Sequence, residues 1–123
     1  MSKAELTPLS YSILLALADE ARHGYGIIKE IEARSGPRAA PTTGAMYLAL
    51  QRLEGEGLIE EAPRTRERAR TDARRRYYRL TAAGRRAAQA ETRRLAVLLG
   101  VAVDKRLVPG SVLKLGGDGG MRG

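Results

Sequence analysis

Apolar residues along this chain fall into a succession of helical patterns, interrupted by a stretch that alternates. Thr7-Pro8 supplies an N-cap followed by proline at the first helical position. The segment LSYSILLALA, running on from Leu9, is apolar on most sides and predicts a first helix that is largely buried. After the polar stretch from Asp19 to His23, Gly24-Tyr25-Gly26 opens a second segment. There Ile27, Ile28 and Ile31 lie three and four residues apart, with Lys29, Glu30 and Glu32 outside. That spacing predicts a short amphipathic helix, stopped near Ser35-Gly36-Pro37. Pro41-Thr42-Thr43-Gly44 starts a third helix. Met46, Leu50 and Leu53 share its inner face, Gly44, Leu48 and Gln51 fall opposite, and Tyr47 and Arg52 flank them.

Gly55 and Gly57 close that helix, and Leu58-Ile59-Glu60-Glu61 predicts a short strand. Its antiparallel partner is expected from Arg75 to Leu80, with Tyr78 and Leu80 on one face and Tyr77 and Arg79 on the other. The two strands make a hairpin around a long, charged connection. Thr81 then caps a fourth helix running to Leu107, with alanines early and Leu95, Leu98, Leu99, Ala102 and Leu107 on its later inner face. Gly84 and Gly100 are imperfections in that pattern. From Val108 the chain is glycine-rich without periodicity, which predicts a flexible tail. The fold class is therefore mainly α with a small β-hairpin, a winged helix-turn-helix with an appended helix. The expected division is residues 1–80 for the winged helix, 81–107 for the added helix and 108–123 for the tail.

The 123 residues suit one domain with a modest core. Without cysteine, disulfides and thiolate metal sites are excluded, which agrees with a reducing cytosol. The start MSKAELTPLS is not that of a secretory signal, and the apolar run from Ile13 to Ala18 is too short for a bilayer. A cytoplasmic protein without a membrane span is the expectation. Charge adds a partner. The net charge is +8, mostly from arginine, and a balance this basic points to a polyanion, either nucleic acid or an acidic membrane surface. Eight arginines lie between Arg64 and Arg79, and with Glu67 and Asp72 they leave +6 on the connection of the hairpin. Solubility alone does not require such a concentration; a wing that neutralises several phosphates does.

In a helix-turn-helix the second helix of the pair enters the major groove, amino end nearest the bases. Here it starts at Thr42, where free backbone N–H groups and the helix dipole suit a phosphate. Thr42 and Thr43 add hydroxyls, Gly44 permits close approach, and Tyr47, Gln51 and Arg52 are long enough to reach a backbone or a base edge. Gln51 is suited to adenine, Arg52 to guanine or a phosphate. Each residue alone has a plainer explanation, as a cap or a solvated face; the arginine wing beside them favours double-stranded DNA. One histidine and no phosphate-loop or nucleophile-elbow motif argue against an enzyme, and no cofactor is expected. His23, between Arg22 and Gly24 at a helix start, suits a structural or capping role. A winged helix used for protein contacts or RNA-associated assembly is the alternative, and a MarR-like regulator the nearest competitor within the DNA-binding class.

Three stretches resemble the PadR family of transcriptional regulators: LTPLSYSILLALADEARHGYGIIKEIEARSG, TTGAMYLALQRLEGEGLI and RRRYYRLTAAGRR, together covering roughly residues 6 to 86. The distinctive pieces are His23-Gly24-Tyr25, Tyr47, the run from Leu53 to Ile59, and Tyr77-Tyr78-Arg79-Leu80-Thr81 with Gly84. The resemblance implies a cytosolic homodimer that represses nearby genes until a small-molecule effector releases it. It implies dimerisation through the C-terminal helix, which matches Leu95, Leu98, Leu99, Ala102 and Leu107. It carries DNA contacts onto Thr42, Thr43, Gly44 and Tyr47, and onto Arg74, Arg75 and Arg76 in the wing. An effector site is expected near Tyr11, Leu14, Leu95 and Leu99. Ala45-Met46 and Leu48 depart from the more usual Thr-Leu and Pro around the tyrosine, so base preference should differ. Residues 63 to 76 hold no glycine to turn the wing, so a longer connection, or one disordered without DNA, is expected. With no Trp or Phe, no drug is stacked between tryptophans.

Overall fold

A computed structural model describes residues 6–71 and 74–108. Thr7 caps helix α1 (Pro8–Ala16), its hydroxyl accepting from the Ser10 N–H at 3.0 Å. The two residues Arg22–His23 form strand β1, and His23 caps helix α2 (Gly24–Ser35), its Nδ1 accepting from the Gly26 N–H at 3.0 Å. The capping role expected of His23 is the one it has. Helix α2 ends at Gly36, whose φ of 92° lies in the left-handed region open to glycine. After a 3-10 turn (Pro37–Ala39), helix α3 runs Thr43–Gly55, with the Thr42 hydroxyl accepting from the Ala45 N–H at 3.1 Å.

Strand β2 is Ile59–Glu61, helix α4 Arg66–Thr71, strand β3 Tyr77–Leu80 and helix α5 Ala82–Asp104. The sheet is antiparallel with order β1-β3-β2. Arg22 faces Tyr78 and His23 faces Tyr77 on one side of β3; Ile59 faces Leu80, Glu60 faces Arg79 and Glu61 faces Tyr78 on the other. The expected hairpin is thus the larger part of a three-stranded sheet. The extra strand is two residues long, too short to carry an alternation, and its partner lies more than fifty positions away.

Ile13, Leu14, Leu17, Ile27, Ile31, Met46, Leu50, Leu53, Ile59 and Tyr78 form the core. Helices α1, α2 and α3 supply this core at the spacing read from the sequence, with Ile28 only partly buried, whereas none of the leucines expected on the inner face of α5 belongs to it. Full burial of side chains of this size contributes about 1.5–3 kcal/mol apiece.

Four local readings are corrected. β3 begins at Tyr77, so Arg75 and Arg76 precede the ladder. Residues 66–71 form a helix where a structureless connection was expected: the Thr65 hydroxyl accepts from the Arg68 N–H at 3.0 Å, and arginine, glutamate and alanine favour the helix that follows. α5 stops at Asp104, because the chain turns at Arg106 (φ 64°), and Leu107 lies beyond it. Gly84 is no imperfection. A Cβ built there would land on the Leu58 carbonyl oxygen, so glycine lets α5 start against the end of the preceding helix-strand turn.

The described residues fall into two compact units, one up to Glu91 and one from Thr92 onward. In the first, the Thr81 hydroxyl caps α5, accepting from the Gly84 N–H at 3.0 Å and donating to the Gly57 carbonyl at 2.6 Å. In the second, Leu95, Val97, Leu98 and Val101 are exposed on α5, and Leu99 and Ala102 are half-buried. The glycine-rich stretch 109–123 lies outside the described residues. No helix among the described residues is long and apolar enough to cross a membrane.

Candidate nucleic-acid interface

Helix α3 divides along its length. Met46, Ala49, Leu50 and Leu53 are buried, while Thr42, Thr43, Gly44, Tyr47, Leu48, Gln51 and Arg52 are exposed. Nothing lies within 4 Å of a Cβ built at Gly44, so the start of the helix is open to close approach. The outward face therefore has no packing duty. Arg52 is exposed one turn after Leu48, further round the helix from Tyr47 than Gln51 is.

The seat of Tyr47 explains a second glycine. A Cβ added to Gly24 would stand 2.5 Å from Tyr47 Oη and 2.8 Å from its Cζ, so glycine at the start of α2 lets the tyrosine ring lie against the helix. The neighbour here is the free end of an exposed side chain, which can swing away. Gly24→Ala is accordingly expected to cost only about 1 kcal/mol, roughly 4–8 °C of melting temperature, while changing the ring environment of Tyr47. Calorimetry and the ring-proton shifts of Tyr47 check this; an unchanged Tyr47 spectrum would refute it.

Two hollows meet at Tyr47. One, of about 360 Å³, is lined by Gly44, Tyr47, Leu48, Gln51, Glu54 and Arg76, with Leu50 and Tyr78 at its base. The other, of about 440 Å³, is lined by His23, Tyr25, Tyr47, Arg74, Arg75, Arg76 and Tyr78. The fold thus brings Tyr47 and the arginine triplet to one concavity, although they are 27 or more positions apart.

Aromatic rings hold the wing arginines. The Arg75 guanidinium lies 5.8 Å from the Tyr25 ring centre, with its Nη1 2.8 Å from His23 Nε2. Arg76 lies 5.0 Å from the centre of Tyr78 and Arg68 4.3 Å from that of Tyr77. Arg76 is also committed to carboxylates, Glu54 at 3.0 Å and Glu61 at 3.2 Å, and Arg79 to Glu60 at 2.8 Å. Arg74 makes no ion pair among the described residues and is exposed. Burial raises the Tyr78 phenol above its ordinary range, only partly offset by Arg76. Burial opposes the charge of Arg76, but Tyr78, Glu54 and Glu61 outweigh it and hold the guanidinium above its usual range. At neutral pH the floor of the hollow is thus a neutral phenol beside a fixed cation.

His23, Tyr25 and Arg68 were not among the candidates read from the sequence. His23 and Tyr25 meet Arg75 about fifty residues away and Arg68 meets Tyr77 nine residues on, and no helical or strand period announces such pairs. Of the residues expected to line an effector site, Tyr11 is half-buried and Leu14 fully buried in the core of the first unit; Leu95 and Leu99 belong to the second. Of the expected dimer contacts, Leu95 and Leu98 are exposed on α5 and Leu107 is exposed after it.

The chain is 39% identical over 88 residues to an uncharacterized 37.1 kDa protein of transposon TN4556 from Streptomyces fradiae, covering 72% of this chain and 23% of that protein. It spans only about a quarter of that relative's length. Among solved structures, a PadR family transcription regulator from hypervirulent Clostridium difficile R20291 is similar at 26% identity and a TM-score of 0.68, covering 83% of this chain and all of that one. Bacillus subtilis PadR, solved in complex with operator DNA, shares the fold at 23% identity and a TM-score of 0.59, over 70% of this chain and 47% of that one. The model of the transcriptional regulator PadR-like family matches residues 13–90, the span that holds the core, α3 and the wing. The chain belongs to the transcriptional regulator PadR-like family.

Proposed function

We propose that this chain is a cytoplasmic, homodimeric repressor that binds a double-stranded DNA operator sequence-specifically. The outward face of α3 enters the major groove, and the hollow between Tyr47 and Arg74, Arg75 and Arg76 receives the phosphate backbone at the groove's edge. The carrying observation is that the recognition helix and the arginine wing share one concavity, with Tyr47 lining both of its halves. Cations over a groove edge neutralise phosphate, and exposed polar side chains on α3 read bases. The complex of Bacillus subtilis PadR with operator DNA supports the reading.

The test is fluorescence anisotropy with the duplex upstream of the protein's own gene against a scrambled duplex of equal length, in excess competitor. Selective binding is expected, and Thr43→Ala, Tyr47→Ala and Gln51→Ala together should remove it. Equal binding to both duplexes, abolished by modest salt, would instead favour an assembly module.

Dimerisation through α5 is part of the proposal. Leu95, Leu98 and Ala102 recur three and four residues apart, and exposed leucines at helical spacing favour burial against a second copy. Leu98→Glu is expected to sediment as a monomer and to lose operator binding at least tenfold, because two half-sites about one helical turn (roughly 34 Å) apart need two linked copies. A Leu98→Glu dimer of unchanged affinity would rule this interface out. Release by a small-molecule effector follows the family expectation; a ligand that lowers operator affinity in the same anisotropy assay would support it.

A further inference from the structure

Leucine 48 sits in the middle of the outward face of α3, opposite the buried Met46, Ala49, Leu50 and Leu53, and is 69% exposed. Its neighbours on that face are Gly44, one turn before, and Gln51 and Arg52, three and four residues after; all are exposed. Leaving a leucine in water at a position with no packing role forgoes the stabilisation its burial would bring. An arginine or glutamine there would serve phosphate binding better.

We infer that Leu48 is a specificity-determining residue that contacts the C5-methyl group of a thymine in the major groove. The inference rests on the DNA-binding reading of α3 and names what that helix selects. A thymine methyl is the apolar group that the major-groove edges of the bases present, and an apolar side chain discriminates it from cytosine. The position suits the task. Gly44 clears the space before Leu48, and Tyr47 stands at its flank, seated against Gly24. The helix rises about 4.5 Å from Leu48 to Gln51, so the two side chains leave one face within a single turn of each other. Leu48 and Gln51 therefore meet the same or adjacent base pairs, and a glutamine is suited to adenine. The two side chains together select an A·T pair or an A/T step at the centre of each half-site.

The test is in vitro selection from a random duplex library with the full chain and with Leu48→Ala, followed by titrations in which each thymine of the selected half-site becomes deoxyuridine. Deoxyuridine keeps the hydrogen-bonding edge and removes only the methyl. At one thymine the change should weaken the unaltered chain about fourfold, the worth of one buried CH₂ group, and leave Leu48→Ala unaffected. Leu48→Ala should also stop enriching thymine at that position, and Leu48→Met, with an apolar tip, should keep it. Because Leu48 is exposed and alanine favours helix, melting of Leu48→Ala should match the unaltered chain. The inference is overturned if Leu48→Ala selects the same sequence and deoxyuridine nowhere costs the unaltered chain more than the variant. If neither chain enriches any sequence, the DNA-reading role of α3 falls first, and this inference with it.

Discussion

Replacing Arg74, Arg75 and Arg76 together by alanine should weaken duplex binding about a hundredfold at 0.1 M salt and flatten its salt dependence. Each phosphate neutralised on B-DNA contributes a slope near −0.9 in log affinity against log salt, so one contact is worth roughly eightfold at 0.1 M relative to 1 M. Three full contacts would give about five hundredfold. Arg76 is discounted because it must first leave Glu54 and Glu61. The slope should become shallower by about 2 to 3. The single variants separate the mechanism further: Arg74→Ala, which sacrifices no internal ion pair among the described residues, should cost more affinity than Arg76→Ala. Anisotropy titrations at four salt concentrations decide the matter. An unchanged slope would remove the wing from the DNA interface, whatever the fate of α3.

Gly84→Ala should lower stability by about 3 kcal/mol and the melting temperature by about 10 °C or more. The sign is the informative part. In an open helical position, glycine to alanine stabilises by roughly 0.4–1 kcal/mol, because it removes freedom from the unfolded chain. At Gly84 the new methyl group meets the Leu58 carbonyl, a backbone atom that also accepts from the Thr81 N–H at 3.1 Å. Neither can yield without parting the β2 entry from the α5 start. Gly44→Ala, with nothing within 4 Å, is the matched control and should melt slightly higher. Scanning calorimetry of the two variants side by side is sufficient. If both rose together, the approach of α5 to Leu58 would not be a tight one.

The first three helices were legible because burial and period coincide. Ile27 and Ile31, or Met46, Leu50 and Leu53, repeat at three and four residues and are all buried. Long-range pairings were not. Arg22–His23 becomes a strand only because Tyr77 and Tyr78 lie alongside it, and a dipeptide has no period. Gly84 looked like a flaw until the Leu58 carbonyl stood beside it. The outward face of α3 was legible as a face, with Thr42, Thr43, Gly44, Tyr47 and Gln51 exposed as its geometry requires. The seat of Arg75 on Tyr25 was not, since it joins residues fifty positions apart, and the seats of Arg68 on Tyr77 and Arg76 on Tyr78, though close in sequence, follow no regular period.

The middle strand of the sheet is the last of the three to be synthesised. β1 and β2 both hydrogen-bond to β3 and not to each other. During translation neither has a ladder partner until Tyr77 to Leu80 leave the ribosome, and two or three residues of strand cannot hold together unaided. The nascent chain can collect its three helices around Ile13, Ile27 and Leu50 beforehand, through contacts of modest separation. The sheet then closes in one late event that joins α2, β2 and the wing. A stalled chain that has not yet exposed β3 would carry an exposed helical cluster with Ile59 uncovered, and would be a natural client for chaperones.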